Sequence, residues 1–319
     1  MSLRSTSAVA FFTLAMLGPA SSRGADPPLW DAARVPRLHR DVGALRDAEW
    51  LLLQARASPD ARTTLLLREA VRILERVDAV SSPDPRVRFF YGRMLGRVGR
   101  DALAVKVLRE AIAFAPAHPS ANEARFSLAV SLARLGRTQE EIRAYEAWLE
   151  REPSTKHRSI GLSNLAEGFM ASGRIDEAVR GYRQAIDLAH DNALAHWGLA
   201  VALDRSGDPA GAIHEAGVAL TYDPDAKELN SENVFFVPAR ERFWYRALGA
   251  MARANSTHDV ALRALWWDRA ALLWRQYIDA APVDDRWVPI ARLRLAYCER
   301  KTQESRARSR SRRTPPHMR

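Results

Sequence analysis

Cysteine is almost missing from this chain of 319 residues: Cys298 stands alone. One thiol excludes an internal disulfide framework and a cysteine-built metal site, and inside a helix it reads as a small buried hydrophobe. Lysine is nearly as scarce, at positions 106, 156, 227 and 301, so 44 of the 48 basic residues are arginine. With arginine used everywhere, no single arginine marks bidentate recognition by its presence alone. Alternating runs of Val, Ile and Thr are also lacking, while Ala, Leu, Arg and Glu recur at intervals of three and four. Strands are thereby excluded as the main element, and the chain reads as almost entirely helical.

Long apolar runs are confined to one place, "AVAFFTLAML" at residues 8–17. About ten apolar residues are too few to span a bilayer. Preceded by Arg4 and followed by "GPASSRGA", the run reads as a signal peptide over residues 1–25, cut near 20–25, and it predicts export to the periplasm or cell envelope.

The formal charge of +10 suggests an anionic partner until its location is considered. Residues 300–319 hold eight basic residues and one acidic one, and Arg4 and Arg23 lie at the other end, which leaves about +1 for residues 24–299. The body is close to neutral. The tail, residues 304–319, reads as disordered, because it has too little apolar surface to order itself. Through Arg306, Arg308, Arg310, Arg312 and Arg313 it offers an anionic surface a salt-sensitive contact.

What is present, abundantly, is repetition. Gly99, Gly136, Gly173 and Gly207 follow one another at intervals of 37, 37 and 34 residues. Set in register on them, small residues stack in columns: Gly92, Ala129, Ala166, Ala200; then Ala104, Glu141, Ala178, Ala212; then Ala111, Trp148, Ala185, Ala219. Pro116, Pro153 and Pro224 close three of the four units. Small residues let two helices approach, glycine turns the chain between them, and proline stops the second helix. One such hairpin cannot cover its own apolar face, so the pattern is written again until neighbours cover it.

In these columns the sequence resembles the tetratricopeptide repeat family, over four units at residues 85–224 and best in "SIGLSNLAEGFMASGRIDEAVRGYRQAIDLAHD" at 159–191. The resemblance implies an all-α fold, a right-handed α-solenoid of helical hairpins. Residues 26–84 then form a degenerate first hairpin, and 225–303 a divergent hairpin with a capping helix. In the latter, "VPARERFWYRALGAMARA" at 237–254 begins a helix with Pro238 in its first turn, and "NSTHDVALRALWW" at 255–267 reads as an insertion or a lengthened helix.

No catalytic constellation emerges. "GLSNL" around Ser163 lacks the second glycine of a nucleophile elbow. The eight histidines show no zinc-protease spacing, and "GRMLGRVGR" at 92–100 lacks the Lys and Ser/Thr of a phosphate loop. The chain is therefore expected to be no enzyme, with no catalytic residues, metal site, cofactor or small-molecule substrate. The aromatics Phe243 to Tyr245, Trp266, Trp267, Trp274 and Tyr277 read as helix-packing core, with Trp244 and Trp267 the exceptions most suited to a pocket.

The resemblance further implies a concave groove lined by the first helix of each unit, where a protein or peptide binds. Carried over in register, its contacts are Phe89, Arg93 and Arg97; Phe126, Val130 and Arg134, beside Glu123; Ser163, Asn164 and Glu167; and Trp197, Val201 and Arg205, beside Asp204. Phe89, Phe126 and Trp197 share a column and are expected to form an aromatic strip, with Arg93, Arg97 and Arg134 adding positive charge. Asn164 is placed to bond an extended peptide backbone. The lysine and asparagine clamp by which some relatives hold a terminal carboxylate is missing, since Phe89 and Arg93 stand at its first-unit positions. The expected function is that of an adaptor or scaffold in the bacterial cell envelope, and the alternative is a polyanion or membrane-surface binder acting through the tail.

Overall fold

The computed structural model describes residues 36–57, 61–231 and 234–313. Among them are thirteen α-helices and no strand. None of these helices is long and apolar enough to cross a membrane. The signal peptide expected at 1–25 lies outside the described residues.

The described chain falls into two compact units, residues 36–157 and residues 158–313. The first holds α1 (Pro36–Ala57) and α2 (Ala61–Arg76), a short 3₁₀ turn (Ala79–Ser81), α3 (Pro85–Arg97), α4 (Asp101–Phe114), α5 (Ser120–Arg134) and α6 (Thr138–Leu149). The division falls just inside α7 (Thr155–Ala171). The second unit continues with α8 (Ile175–Leu188), α9 (Ala193–Ser206), α10 (Pro209–Tyr222), α11 (Glu241–Ser256), α12 (Val260–Ala280) and α13 (Val288–Arg313). Within each unit consecutive helices pack as hairpins, giving the all-α solenoid architecture expected from the repeat.

The repeated residues sit where their chemistry requires. Gly99, Gly136, Gly173 and Gly207 all have positive φ, between 67° and 94°, just past the ends of α3, α5, α7 and α9. A left-handed residue there lets the chain reverse without a Cβ clash. The small-residue columns are buried, with Ala104, Ala178 and Ala212 each at 0% exposure. Even the two exceptions, Glu141 and Trp148, point inward. Asp84, Asn192, Asp208 and Asp259 cap α3, α9, α10 and α12 by accepting backbone N–H groups.

Each unit has its own core. In the first, Leu74, Phe89, Met94, Leu95 and Leu108 are sealed from water; in the second, Tyr182, Trp197, Trp244, Trp274 and Tyr277 are. Each such side chain contributes about 1.5–3 kcal/mol relative to exposure.

Two details differ from the sequence reading, and one alternative it left open is decided. The helix expected around 237–254 begins at Glu241, with Pro238 outside it. Residues 260–280 form one lengthened helix, α12. The Arg-rich tail is not disordered from residue 304, because α13 continues to Arg313. Thr302 and Ser305 are buried, Thr302 Oγ1 donates to the Cys298 carbonyl at 3.0 Å, and Arg306 pairs with Asp268 of α12. A neighbouring helix thus supplies the contacts that the tail's own composition lacks. The arginines at 310, 312 and 313 close the helix, and their side chains lie outside the described set.

Candidate functional site

In the first unit, α1, α3 and α5 are the leading helices of successive hairpins. Arg93 and Arg97 lie one turn apart on α3 and so share a face. Arg93 Nη1 meets Glu123 of α5 at 2.5 Å. Arg134, also from α5, donates Nη1 to the Gly96 carbonyl at 2.8 Å and stands 3.6 Å from Asp101. Arg56, in the last turn of α1, is within electrostatic reach of both Arg93 and Arg97.

Crowding leaves its mark on protonation. Burial, then the charges of Arg93, Arg56 and Arg134, push the Arg97 pKa down to about 10. Burial also lowers those of Arg93 and Arg56, against the pull of Glu123. Burial raises the Glu49 carboxyl although Arg86, Arg93 and Arg46 oppose it. Beside this charge, α1 exposes Trp50 at 61% and Leu53 at 54%.

The predicted contacts in this unit divide cleanly. Arg93, Arg97 and Arg134 converge, with Val130 half-buried one turn before Arg134. Phe89 and Phe126 do not form an aromatic strip on a surface. Phe89 is 1% exposed and packs on His118 at 5.5 Å, and Phe126 packs on Trp148 at 5.1 Å and Tyr145 at 5.7 Å. Large flat rings bury too much apolar area to be left in water when a neighbouring helix can take them.

In the second unit the predicted contacts are occupied internally. Ser163 Oγ donates to the Ser159 carbonyl at 3.0 Å and accepts from Asn192 at 3.2 Å. Asn164 is half-buried on α7. Glu167 Oε2 accepts from Tyr182 at 2.6 Å and from Tyr245 at 2.8 Å, and its pKa is raised by burial, which outweighs those two bonds. Trp197 and Val201 are core residues. Arg205 is almost fully buried, paired with Glu241 at 2.5 Å and lying over the rings of Trp244 and Trp287. Burial acts to lower its pKa, but Glu241 together with Tyr277 and Tyr245 outweighs it and the net direction is upward. Asp204, 0% exposed, accepts from Trp244 Nε1 at 3.0 Å and Arg294 Nε at 2.7 Å.

The aromatics read as helix-packing core are core, including Trp244 and Trp267, the two most suited to a pocket. Trp244 is 0% exposed against Trp274 and Tyr277, at 4.9 and 5.0 Å, and Trp267 is 2% exposed against Tyr297. The loop before α13 completes the packing, since Asp285 holds Arg240 at 2.8 Å and Trp287 covers Arg205. Cys298 is buried in α13, where burial pushes its thiol up to about 12.

Sequence reasoning missed Arg56, Glu49, Trp50 and Leu53, because the degenerate first hairpin has no turn glycine to set a register. It also missed Arg294 and Trp287, whose roles depend on contacts 90 and 82 residues away.

Two family models match this chain: a TPR repeat at residues 168–207 and a tetratricopeptide repeat at residues 113–155. The chain carries tetratricopeptide repeats over these residues. Such repeats mediate protein–protein binding, and the chain is a protein-interaction scaffold built from them. Several solved structures are similar. MamA from residue 41 to its end, from Desulfovibrio magneticus RS-1, is 16% identical with a TM-score of 0.49 over 58% of this chain and 96% of that one. A structure titled MamA protein is 15% identical with a TM-score of 0.47 over 62% and 98%, and MamA MSR-1 is 19% identical with a TM-score of 0.46 over 58% and 99%. Likeness at that level transfers no binding property. No curated protein matches the chain.

Proposed function

We propose that this tetratricopeptide-repeat protein is an exported, non-catalytic scaffold of the bacterial cell envelope, and that it grips a segment of a partner protein on the α1–α3–α5 face of its first unit. The observation carrying this is the convergence of Arg56, Arg93, Arg97 and Arg134 from three leading helices, next to exposed Trp50 and Leu53. The second unit's corresponding positions are engaged with one another, so they serve its stability. Export is supported by the apolar run at 8–17 with its flanking arginines and small residues.

The test is a photo-crosslinking residue placed at Leu53 or Val130, with exposed Leu293 on α13 as the control position, irradiated in intact cells. Proteins crosslinked from the first two positions and not from the third support the reading. Identical sets, or none, refute it. N-terminal sequencing of the protein from the envelope fraction should begin between residues 20 and 26; an intact Met1 in the cytoplasmic fraction refutes export.

A further inference from the structure

Among the described residues, the groups that act on one another across this face include the guanidiniums of Arg46, Arg56, Arg86, Arg93, Arg97 and Arg134 and the carboxylates of Glu49, Asp84, Asp101 and Glu123. Arg97 in particular lies among the charges of Arg93, Arg56 and Arg134, although the body of the chain is nearly neutral. The cluster is also held in place. Asp84 caps α3 and grips Arg86 at 2.7 Å, Glu123 fixes Arg93, and the Gly96 carbonyl fixes Arg134. A guanidinium has five N–H donors, so one that holds an intramolecular acceptor still has others to present.

Positioned arginines favour planar carboxylates, which they meet through two parallel hydrogen bonds. The apolar side of the face lies within one turn of the charged side: Leu53 is four residues from Glu49 and three from Arg56, and Trp50 precedes Leu53 by three. An exposed Trp and Leu beside a cationic patch match a ligand that carries both carboxylates and bulky apolar side chains.

We infer that the α1–α3–α5 face recognises an internal acidic segment of its partner, with Asp or Glu side chains seated on Arg97 and Arg134 and an apolar residue on Trp50 and Leu53. This rests on the scaffold reading above and gives it a ligand chemistry. The face selects side-chain carboxylates spaced along a peptide, so a free terminal carboxylate is not required.

The experiment uses the full chain and three fluorescein-labelled peptides of one length with blocked ends: alternating Glu and Leu, the same with Gln for Glu, and the same with Ser for Leu. Binding is read by anisotropy at low and at physiological salt. The Glu–Leu peptide is expected to bind at least about tenfold more tightly than either control, and to weaken with salt. Arg97→Gln with Arg134→Gln should cost about tenfold or more, Leu53→Ser a smaller factor, and Arg308→Gln on α13 nothing, with unchanged circular dichroism throughout. Equal binding of the Gln peptide, indifference to the Arg97 and Arg134 changes, or no binding of the Glu–Leu peptide overturns the inference. So does displacement of that peptide by inorganic polyphosphate or phosphatidylglycerol vesicles when the double variant competes equally well, since the anion then binds elsewhere. Should crosslinks still map to Leu53 and Val130 while the Gln peptide binds equally, only the acidic chemistry fails. Should crosslinks miss the face, the scaffold site fails with it.

Discussion

Replacing Asp204 by alanine tests how the second unit is held together. Its carboxylate is fully buried near the end of α9, and it accepts from Trp244 of α11 at 3.0 Å and from Arg294 of α13 at 2.7 Å. One side chain thus ties the leading helices of two successive hairpins to the final helix. Truncating it leaves the Arg294 guanidinium, 16% exposed, without its counter-ion. Removing one partner of a buried pair costs about 3–5 kcal/mol, and a stranded indole N–H about 1–3 kcal/mol. The two do not simply add, because Arg294 retains some water. We expect a loss of about 3–5 kcal/mol, a large part of the stability of an ordinary domain. Burial already raises the Asp204 pKa, so the pair is itself strained by desolvation. Asp204→Leu with Arg294→Met should therefore recover at least half the loss. Urea unfolding followed by tryptophan fluorescence measures the loss, and hydrogen exchange locates it: amides of α9, α11 and α13 should open while those of α3 to α5 stay protected. A single-variant loss below about 0.5 kcal/mol, or a double variant no better than the sum of the singles, refutes the account.

Other expectations follow from the same packing. A methyl group at Gly198 would collide with the Tyr182 ring, so Gly198→Ala should cost about 1–3 kcal/mol; an unchanged Tm refutes that close approach. Burial raises the Glu167 carboxyl above its unfolded value of about 4.3. The folded state then keeps a proton that the unfolded chain releases, and the ionised carboxyl weakens the fold as pH rises from the unfolded pKa through the folded one. Glu167→Gln should accordingly gain stability relative to the parent between pH 4 and pH 7, and a difference that stays flat refutes the raised pKa. Phe126→Ala should act as a core truncation, costing about 3–5 kcal/mol, whereas binding lost at undiminished stability would return Phe126 to the surface. Amides of residues 302–308 should exchange more slowly than random coil, because Thr302 and Ser305 are packed; random-coil exchange there refutes an ordered α13.

The family, the hairpin architecture and the four turn glycines were legible in the sequence because each depends on local chemistry repeated at a fixed interval. A glycine that must adopt positive φ, or an alanine that must admit a neighbouring helix, shows itself column by column. Arg93, Arg97 and Arg134 were legible as one group for the same reason, since the register places them on the same side of successive leading helices. Arg56, Trp50 and Leu53 were not, because the first hairpin lacks the glycine that carries the register.

The amino-acid order alone determined that this chain folds as stacked helical pairs, since apolar spacing and turn residues act within a few positions. Only the tertiary structure decided which groove-side residues are spent on the fold. Phe89, Phe126 and Trp197 went inward and Arg205 was closed between Glu241 and Trp287, because desolvation and charge pairing are settled by neighbours that arrive from distant helices.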